Sequence, residues 1–364
     1  MNIENYKDVI SACRFCFMCR HLATIGNVSF KESDTPRGRA LIADKVLKDK
    51  QHLKNQDYID CFYRAELSAA SRKHCVSSYD EASLVRAMRE DIVDAGLEPE
   101  KVKKIAEALR QSGNPFGATE AGIKEKGTKG KPALLYYIDA YTLYKEPKIA
   151  ESFMAILEKA GLEFSVLKEI ESSGKAFSCM GYRKEAAAAA AKTLSAIRKT
   201  GCTTLVTSCP ASFDAFKNDY QKQGAALDGI EILHSSQFIA ELFKNKKLKA
   251  AGKTVKISYI DSDYLKNYNS ITEAPRKALE AAGFELVEFG SNTEESYAMG
   301  EGSVVYDQVN PELLPKLKGR LLEKSNPGQE IVSASPYTKY AFNSTPGSTL
   351  KMRSLEEAIA GRIS

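Results

Sequence analysis

Over the first third of the chain the apolar residues fall at helical spacing. Leu84, Val85, Met88 and Ile92 share one face of a helix that Asp80 starts, DEASLVRAMREDIVDAG, and a following helix, PEKVKKIAEALRQSG, stops at Gly113. Upstream, Ser33, Asp34, Thr35 and Pro36 form a start signal for RGRALIADKVLKD, with an N-cap candidate and proline in the first turn. Residues 114–131, NPFGATEAGIKEKGTKGK, have no apolar period and read as a linker.

Beyond the linker, short apolar runs alternate with helical patterns, and the pattern repeats. LLYYIDAYTLYKEP and VKISYIDSDYLKNY both run a strand into Tyr-Ile-Asp, at Tyr137 to Asp139 and Tyr259 to Asp261. Each continues into a helix ending in Ala160-Gly161 or Ala282-Gly283, then into EFSVL or ELVEF. The offset is 122 residues at both landmarks, and the copies meet again at TLVTSCPAS and EIVSASPYT, 126 residues apart. Strand, helix and strand in each copy imply βαβ units with parallel strands. RKEAAAAAAKTLSAIRKTG, dense in alanine, is a strong helix former. The predicted fold is mixed: a helical segment over 1–113, the linker over 114–131, and two pseudo-symmetric α/β lobes with parallel sheets over 132–250 and 251–364, the second ending in a helix.

Composition changes this picture little. With 43% hydrophobic and 27% charged residues, the chain is ordinary for a globular protein. No apolar run approaches the ~18 residues of a membrane span, and the polar, acidic start from Asn2 to Asp8 does not resemble a signal peptide. A net charge of +5 spread over many lysines fits a solvated surface, and the interleaved aromatics of a nucleic-acid reader are missing. No glycine-rich nucleotide or flavin fingerprint is present. Eight clustered cysteines in a chain of this length point to metal in a reducing cytoplasm rather than to a disulfide scaffold.

The chemistry starts at CRFCFMC. Cys13, Cys16 and Cys19 put three thiolates on one tight loop, the grip used for an iron-sulfur cube, whereas zinc sites usually bring two thiolates from each of two knuckles. In two-cluster domains the fourth cysteine of one motif ligates the other cluster. Here that fourth position is Ala23. Reading back from Cys75 at the same spacing gives Ser71, Ser68 and Ala65. Crossed ligation therefore leaves one complete set, Cys13, Cys16, Cys19 and Cys75, and one wholly lacking thiolates, Ala65, Ser68, Ser71 and Ala23. The segment 1–113 reads as a helical, two-cluster-ferredoxin-like domain that keeps one [4Fe-4S] cluster and no second cubane. Three reduced thiols or a zinc site stay as alternatives. Arg37 and Arg39 lie close enough in sequence to offset the charge of such a cluster. Cys61, Cys179 and Cys202 have no partner at metal spacing and read as buried structural thiols. Cys209 follows a strand, where a low pKa is conceivable. His21, His52, His74 and His234 form no ligand pair and read as surface residues, with His21 and His74 flanking cluster cysteines.

A ferredoxin domain followed by two such repeats resembles the D-type component of heterodisulfide reductase, with the glycolate oxidase iron-sulfur subunit, the C-type component of anaerobic glycerol-3-phosphate dehydrogenase and lactate utilisation protein A. The family's repeat runs Cys, Cys-Cys-Gly, Cys-Pro-x-Cys. Here the first copy offers Tyr141, Ser172-Ser173-Gly174 and Cys209-Pro210-Ala211-Ser212. The second offers Asp263, Ala298-Met299-Gly300 and Ser335-Pro336-Tyr337-Thr338. Only Cys209 remains of the repeats' cysteines, and serine and alanine do not replace thiolates at a soft centre, so no noncubane cluster is expected. The resemblance implies an electron-transfer component of an oxidoreductase without a substrate site of its own. Its cluster would serve a flavin-dependent dehydrogenase partner, a sister iron-sulfur subunit, or both, in the cytoplasm or peripherally on the inner membrane face through a partner. The alternative is a scaffold pseudo-subunit whose cluster is structural.

Overall fold

The structure, a computed structural model, describes residues 1–14, 16–120, 132–167, 172–326 and 328–363. Most of the linker sequence, from residue 121 to 131, lies outside the described residues.

The helical segment forms where the caps and faces predict. Thr35 caps Pro36–Lys48 by accepting from the Gly38 N–H at 3.1 Å, and Asp80 caps Glu81–Asp94 by accepting from the Ser83 N–H at 3.1 Å. Glu100–Ser112 ends on Gly113 in the left-handed region, φ 69°. Leu84, Val85, Met88 and Ile92 are buried in one core with Ala40, Ala43, Ile59 and Phe62.

In the first lobe β1 (Leu134–Tyr137), β2 (Ser165–Val166), β3 (Thr204–Thr207) and β4 (Glu231–His234) form a parallel sheet in the order β2-β1-β3-β4. In the second, β5 (Val255–Ile260), β6 (Phe284–Val287), β7 (Glu330–Ser333) and β8 (Met352–Ser354) take the order β6-β5-β7-β8, also parallel. The sequence repeat is thus a repeat of topology. The lobes pack by equivalent helices: Pro147–Lys159 lies against Leu355–Ala360, and its counterpart Glu273–Ala281 lies against Ser235–Lys244. Phe153, Leu157, Ile239, Leu279 and Ile359 from these helices bury a single apolar core shared by both lobes. The alanine-dense helix, Arg183–Thr200, buries only one stripe, Ala186, Ala190, Thr193 and Ile197.

Both lobes also grip the helical segment. Arg89, buried within Glu81–Asp94, donates to the carbonyls of Phe62, Ala65 and Cys179 and to the Ser303 hydroxyl. Tyr268 and Tyr306 donate to the carbonyls of Leu67 and Arg64. Gly302 makes the closest approach, because any Cβ there would overlap the Leu67 carbonyl.

Candidate functional site

The cysteine loop leaves the short helix Lys7–Ser11, the Cys13 N–H bonding the Ile10 carbonyl at 3.1 Å, and enters a 3-10 turn, Met18–Leu22. That turn packs against a second one, Ala70–Lys73, which leads into Cys75. Cys16 is exposed, and Cys13, Cys19 and Cys75 are half-buried. Burial pushes the Cys19 thiol up to about 11; the backbone N–H of Arg37, in the first turn of Pro36–Lys48, opposes this, and Glu81, Cys13 and Cys16 add to it. Cys13, Cys16 and Cys19 therefore share one neighbourhood. Cys75 stands on the adjoining segment, its sulfur accepting from the Tyr79 N–H at 3.4 Å. Among the described residues no three His, Cys, Asp or Glu side chains are gathered as a metal site.

Tyr79 decides whether these residues suit an anionic thiolate cluster. Its ring is buried and its hydroxyl has no hydrogen-bond partner among the described residues; burial raises that hydroxyl, with Glu81, Cys13 and Cys19 adding and Arg39 opposing, while its own N–H donates to the Cys75 sulfur. A buried donor left over beside cysteine sulfur, with backbone N–H groups already directed at Cys19 and Cys75, fits a group that brings acceptor sulfur. The donor set is consistent with the cluster.

The four positions of the degenerate motif also converge. Ala23, Ala65, Ser68 and Ser71 line one cavity of about 20 Å³ with Thr24, Asp34, Arg39, Glu66 and Glu81. It has room for about one water, and Thr24 Oγ1, Arg39 Nη2 and Glu66 Oε2 are buried there without a well-formed hydrogen bond among the described residues. Burial raises the Glu66 carboxyl, with the Thr24 and Ser68 hydroxyls opposing. Arg39 corrects a sequence expectation: it is buried, pairs with Glu81 at 2.5 Å and bonds the Cys61 carbonyl, so its charge is spent internally. Arg37 pairs with Glu32 at 2.6 Å and lies 4.1 Å from the centre of the Phe17 ring.

The repeat motifs converge in the same way. Tyr141, Ser172, Ser173, Cys209 and Ser212 line a cavity of about 40 Å³ beyond the carboxyl ends of β1 and β3, where the strand order reverses. Cys209 is buried, and burial with Asp139 beside it pushes its thiol well above the ordinary value, against the low pKa its position allowed. Thiolate is then scarce until the pH is far above the usual thiol range. Native, cluster-free protein treated with iodoacetamide at pH 8 should be alkylated first at Cys16 and not at Cys209, as peptide mass spectrometry would report. In the second lobe Thr338 donates to the Ala298 carbonyl at 3.1 Å, and the Glu301 carboxylate accepts from the Ser262 hydroxyl and the Asp263 N–H.

Burial pushes Glu301 up to about 7. An acid whose folded pKa is raised contributes stability below its unfolded pKa of 4.5 and loses it as pH climbs through about 7. Glu301→Gln should therefore gain about 2 kcal/mol on wild type between pH 5 and pH 8 in urea titrations.

Sequence reasoning missed Tyr79, Glu66 and Glu301, although Glu66 and Glu301 each stand directly beside a degenerate motif position. His21 is exposed, and His74 lies 3.4 Å from Glu294. His234, expected at the surface, is buried with its ring bonded to Ser236 and the Ser208 carbonyl.

No family model matches the chain. It is 31% identical, over 54% of its length, to a probable iron-sulfur-binding oxidoreductase FadF of Bacillus subtilis, and 25% identical, over 64%, to the EtfAB:quinone oxidoreductase of Syntrophomonas wolfei. The matched regions cover 30% and 35% of those proteins, so the chain spans about a third of their length. It is 25% identical, over 73% of its length and 68% of the other's, to the D-type component of the dihydromethanophenazine:CoB–CoM heterodisulfide reductase of Methanosarcina acetivorans. In fold it resembles a hypothetical protein from Helicobacter pylori, with a TM-score of 0.57 at 11% identity, covering 98% of this chain and 75% of the other. No helix among the described residues is long and apolar enough to cross a membrane. The chain is thus similar to proteins named as iron-sulfur oxidoreductases and as the D-type component of heterodisulfide reductase, the group its cysteine motif and repeats resemble.

Proposed function

We propose that the chain is an iron-sulfur electron-transfer subunit of a multi-subunit oxidoreductase, with Cys13, Cys16, Cys19 and Cys75 holding one [4Fe-4S] cluster. The observation that carries this is the convergence of Ala23, Ala65, Ser68 and Ser71 on one cavity. Those are the positions crossed ligation assigns to a second cluster, so their meeting supports the register that assigns Cys75 to the first. When bound, the cluster supplies one-electron chemistry. The chain's own residues hold it and set its surroundings: Tyr79 offers its hydroxyl and N–H, the first turn of Pro36–Lys48 offers the Arg37 N–H, and Ser303, Asn267 and Tyr268 of the lobes hold the buried 65–68 segment behind it.

The electron donor is a flavin-dependent dehydrogenase, a reading supported by a relative named for EtfAB and quinone. The lobes contribute shape rather than metal, since their motif positions hold Tyr141, Asp263, serines and a protonated Cys209. That same observation favours a second reading, a scaffold whose cluster is structural. Protein purified without oxygen should carry iron and sulfide, absorb broadly in the visible and give a paramagnetic signal on reduction. Iron-free or zinc-loaded protein would overturn the cluster; a cluster that no flavoprotein reduces would favour the scaffold.

A further inference from the structure

Among the described residues six large apolar side chains stand exposed, and four of them surround the cysteines: Phe17 at 65%, Met18 at 45%, Phe30 at 83% and Val76 at 77%. Phe17 and Met18 lie between Cys16 and Cys19, and Val76 follows Cys75. Phe17 and Phe30 line an open groove of about 830 Å³ whose far wall is the helix Leu314–Lys324 of the second lobe. Phe30 is held at φ 57°, left-handed backbone that a bulky aromatic rarely adopts, and there it points into solvent. Exposed apolar side chains gathered in this way mark a surface that is covered in use.

The groove's charges narrow what covers it. Glu295 is paired with Arg320, and Glu32 beside the loop is paired with Arg20 and Arg37. Lys316 and Lys324 line the groove, exposed and without an ion pair among the described residues, and only Glu323 opposes them. The surface is an apolar centre with a cationic rim.

The inner side of the cysteines is closed. Behind them the 65–68 segment is buried, and Ser303, Asn267 and Tyr268 of the second lobe donate to the carbonyls of Ala65, Ser68 and Leu67. A partner therefore approaches the cysteines from their outer side, on which the groove opens.

We propose that this groove is the docking face for an acidic electron-carrier protein, which seats apolar surface on Phe17 and Phe30 and acidic side chains on Lys316 and Lys324. This rests on the electron-transfer reading and adds the chemistry of the partner. A concave site between a loop and a helix suits a protein surface better than a flat bilayer. Electrostatic complementarity of this kind sets the association rate and its dependence on salt.

Flavodoxin, an acidic flavin carrier, is the probe, and calorimetric binding needs no cluster in the chain. Binding is expected at low salt and should fade as salt rises. Lys316→Glu with Lys324→Glu should weaken it by about tenfold or more, and Phe30→Ser should weaken it at every salt concentration. Leu41→Ser, exposed elsewhere on Pro36–Lys48, should leave it unchanged, and circular dichroism should be native for all. No flavodoxin binding, or binding indifferent to these substitutions, would overturn the proposal. So would capture by phosphatidylglycerol vesicles, lost in the same variants, in place of flavodoxin. Iron content, measured separately, reports on the cluster and not on the groove.

Discussion

Cys75→Ser is expected to strip the protein of most of its iron, from about four atoms per chain, together with its broad visible absorption, while Cys61→Ser keeps both. The two cysteines are 14 residues apart and chemically alike, so their surroundings make the difference. Cys61 is wholly buried, its thiol bonded to the Ser33 carbonyl at 2.9 Å, and burial raises its pKa. It is a packed thiol with its proton already committed. Cys75 is half-buried, accepts from the Tyr79 N–H, and follows the turn packed on the loop of Cys19. A serine there offers a hard oxygen where a soft thiolate is needed. Iron lost from the Cys61 variant but kept in the Cys75 variant would move the fourth ligand and dissolve the assignment of Ala65, Ser68 and Ser71. Tyr79→Phe is a finer probe of the same site. It should keep the iron and shift the reduction potential downward, because a donor to anionic sulfur stabilises the reduced, more negative state.

The lobes were legible in the sequence because a parallel sheet buried on both faces writes short apolar runs, and a duplication writes them twice. The landmarks at Tyr137 and Tyr259 fall at the ends of β1 and β5, and the strand orders match. The helix limits near Thr35, Asp80 and Gly113 were legible because capping is local chemistry. Buried charge was not. Arg39, Arg89, Lys175 and Glu301 carry the signature of surface residues, and only chain segments far away in sequence make them interior. Lys175 pairs with Asp214 and Asp219, 39 and 44 residues on. His234 read as a surface histidine for the same reason; in the fold it caps Ser235–Lys244, and burial pushes it down to about 4. Around the degenerate motifs, then, charged and hydroxyl side chains occupy the interior.

Arg89→Met should be the most destabilising substitution outside the cysteines, lowering the free energy of unfolding by about 3–5 kcal/mol in urea titrations. Methionine is a good helix former, so Glu81–Asp94 itself loses little by the change. What is lost is a guanidinium whose Nη2 reaches the carbonyls of Ala65 at 2.7 Å and Phe62 at 2.9 Å, and whose Nη1 reaches the carbonyl of Cys179 at 2.6 Å. The Ala65 carbonyl keeps the Ser303 hydroxyl and the Phe62 carbonyl a long backbone bond from the Ala65 N–H at 3.4 Å, whereas among the described residues no other side chain replaces Arg89 at Phe62 and Cys179. Burial lowers the Arg89 pKa, a sign that water is shut out, so those carbonyls cannot turn to solvent instead. Arg110→Met is the control. Its pair with Glu185 joins an exposed side chain to a half-buried one at the surface, and its loss should cost about half a kcal/mol or less. Because Arg89 joins the 62–65 segment to the first lobe at Cys179 and to the second at Ser303, the variant tests whether the cysteine-bearing segment depends on the two lobes. A change below about 1 kcal/mol would mean that the segment stands without them.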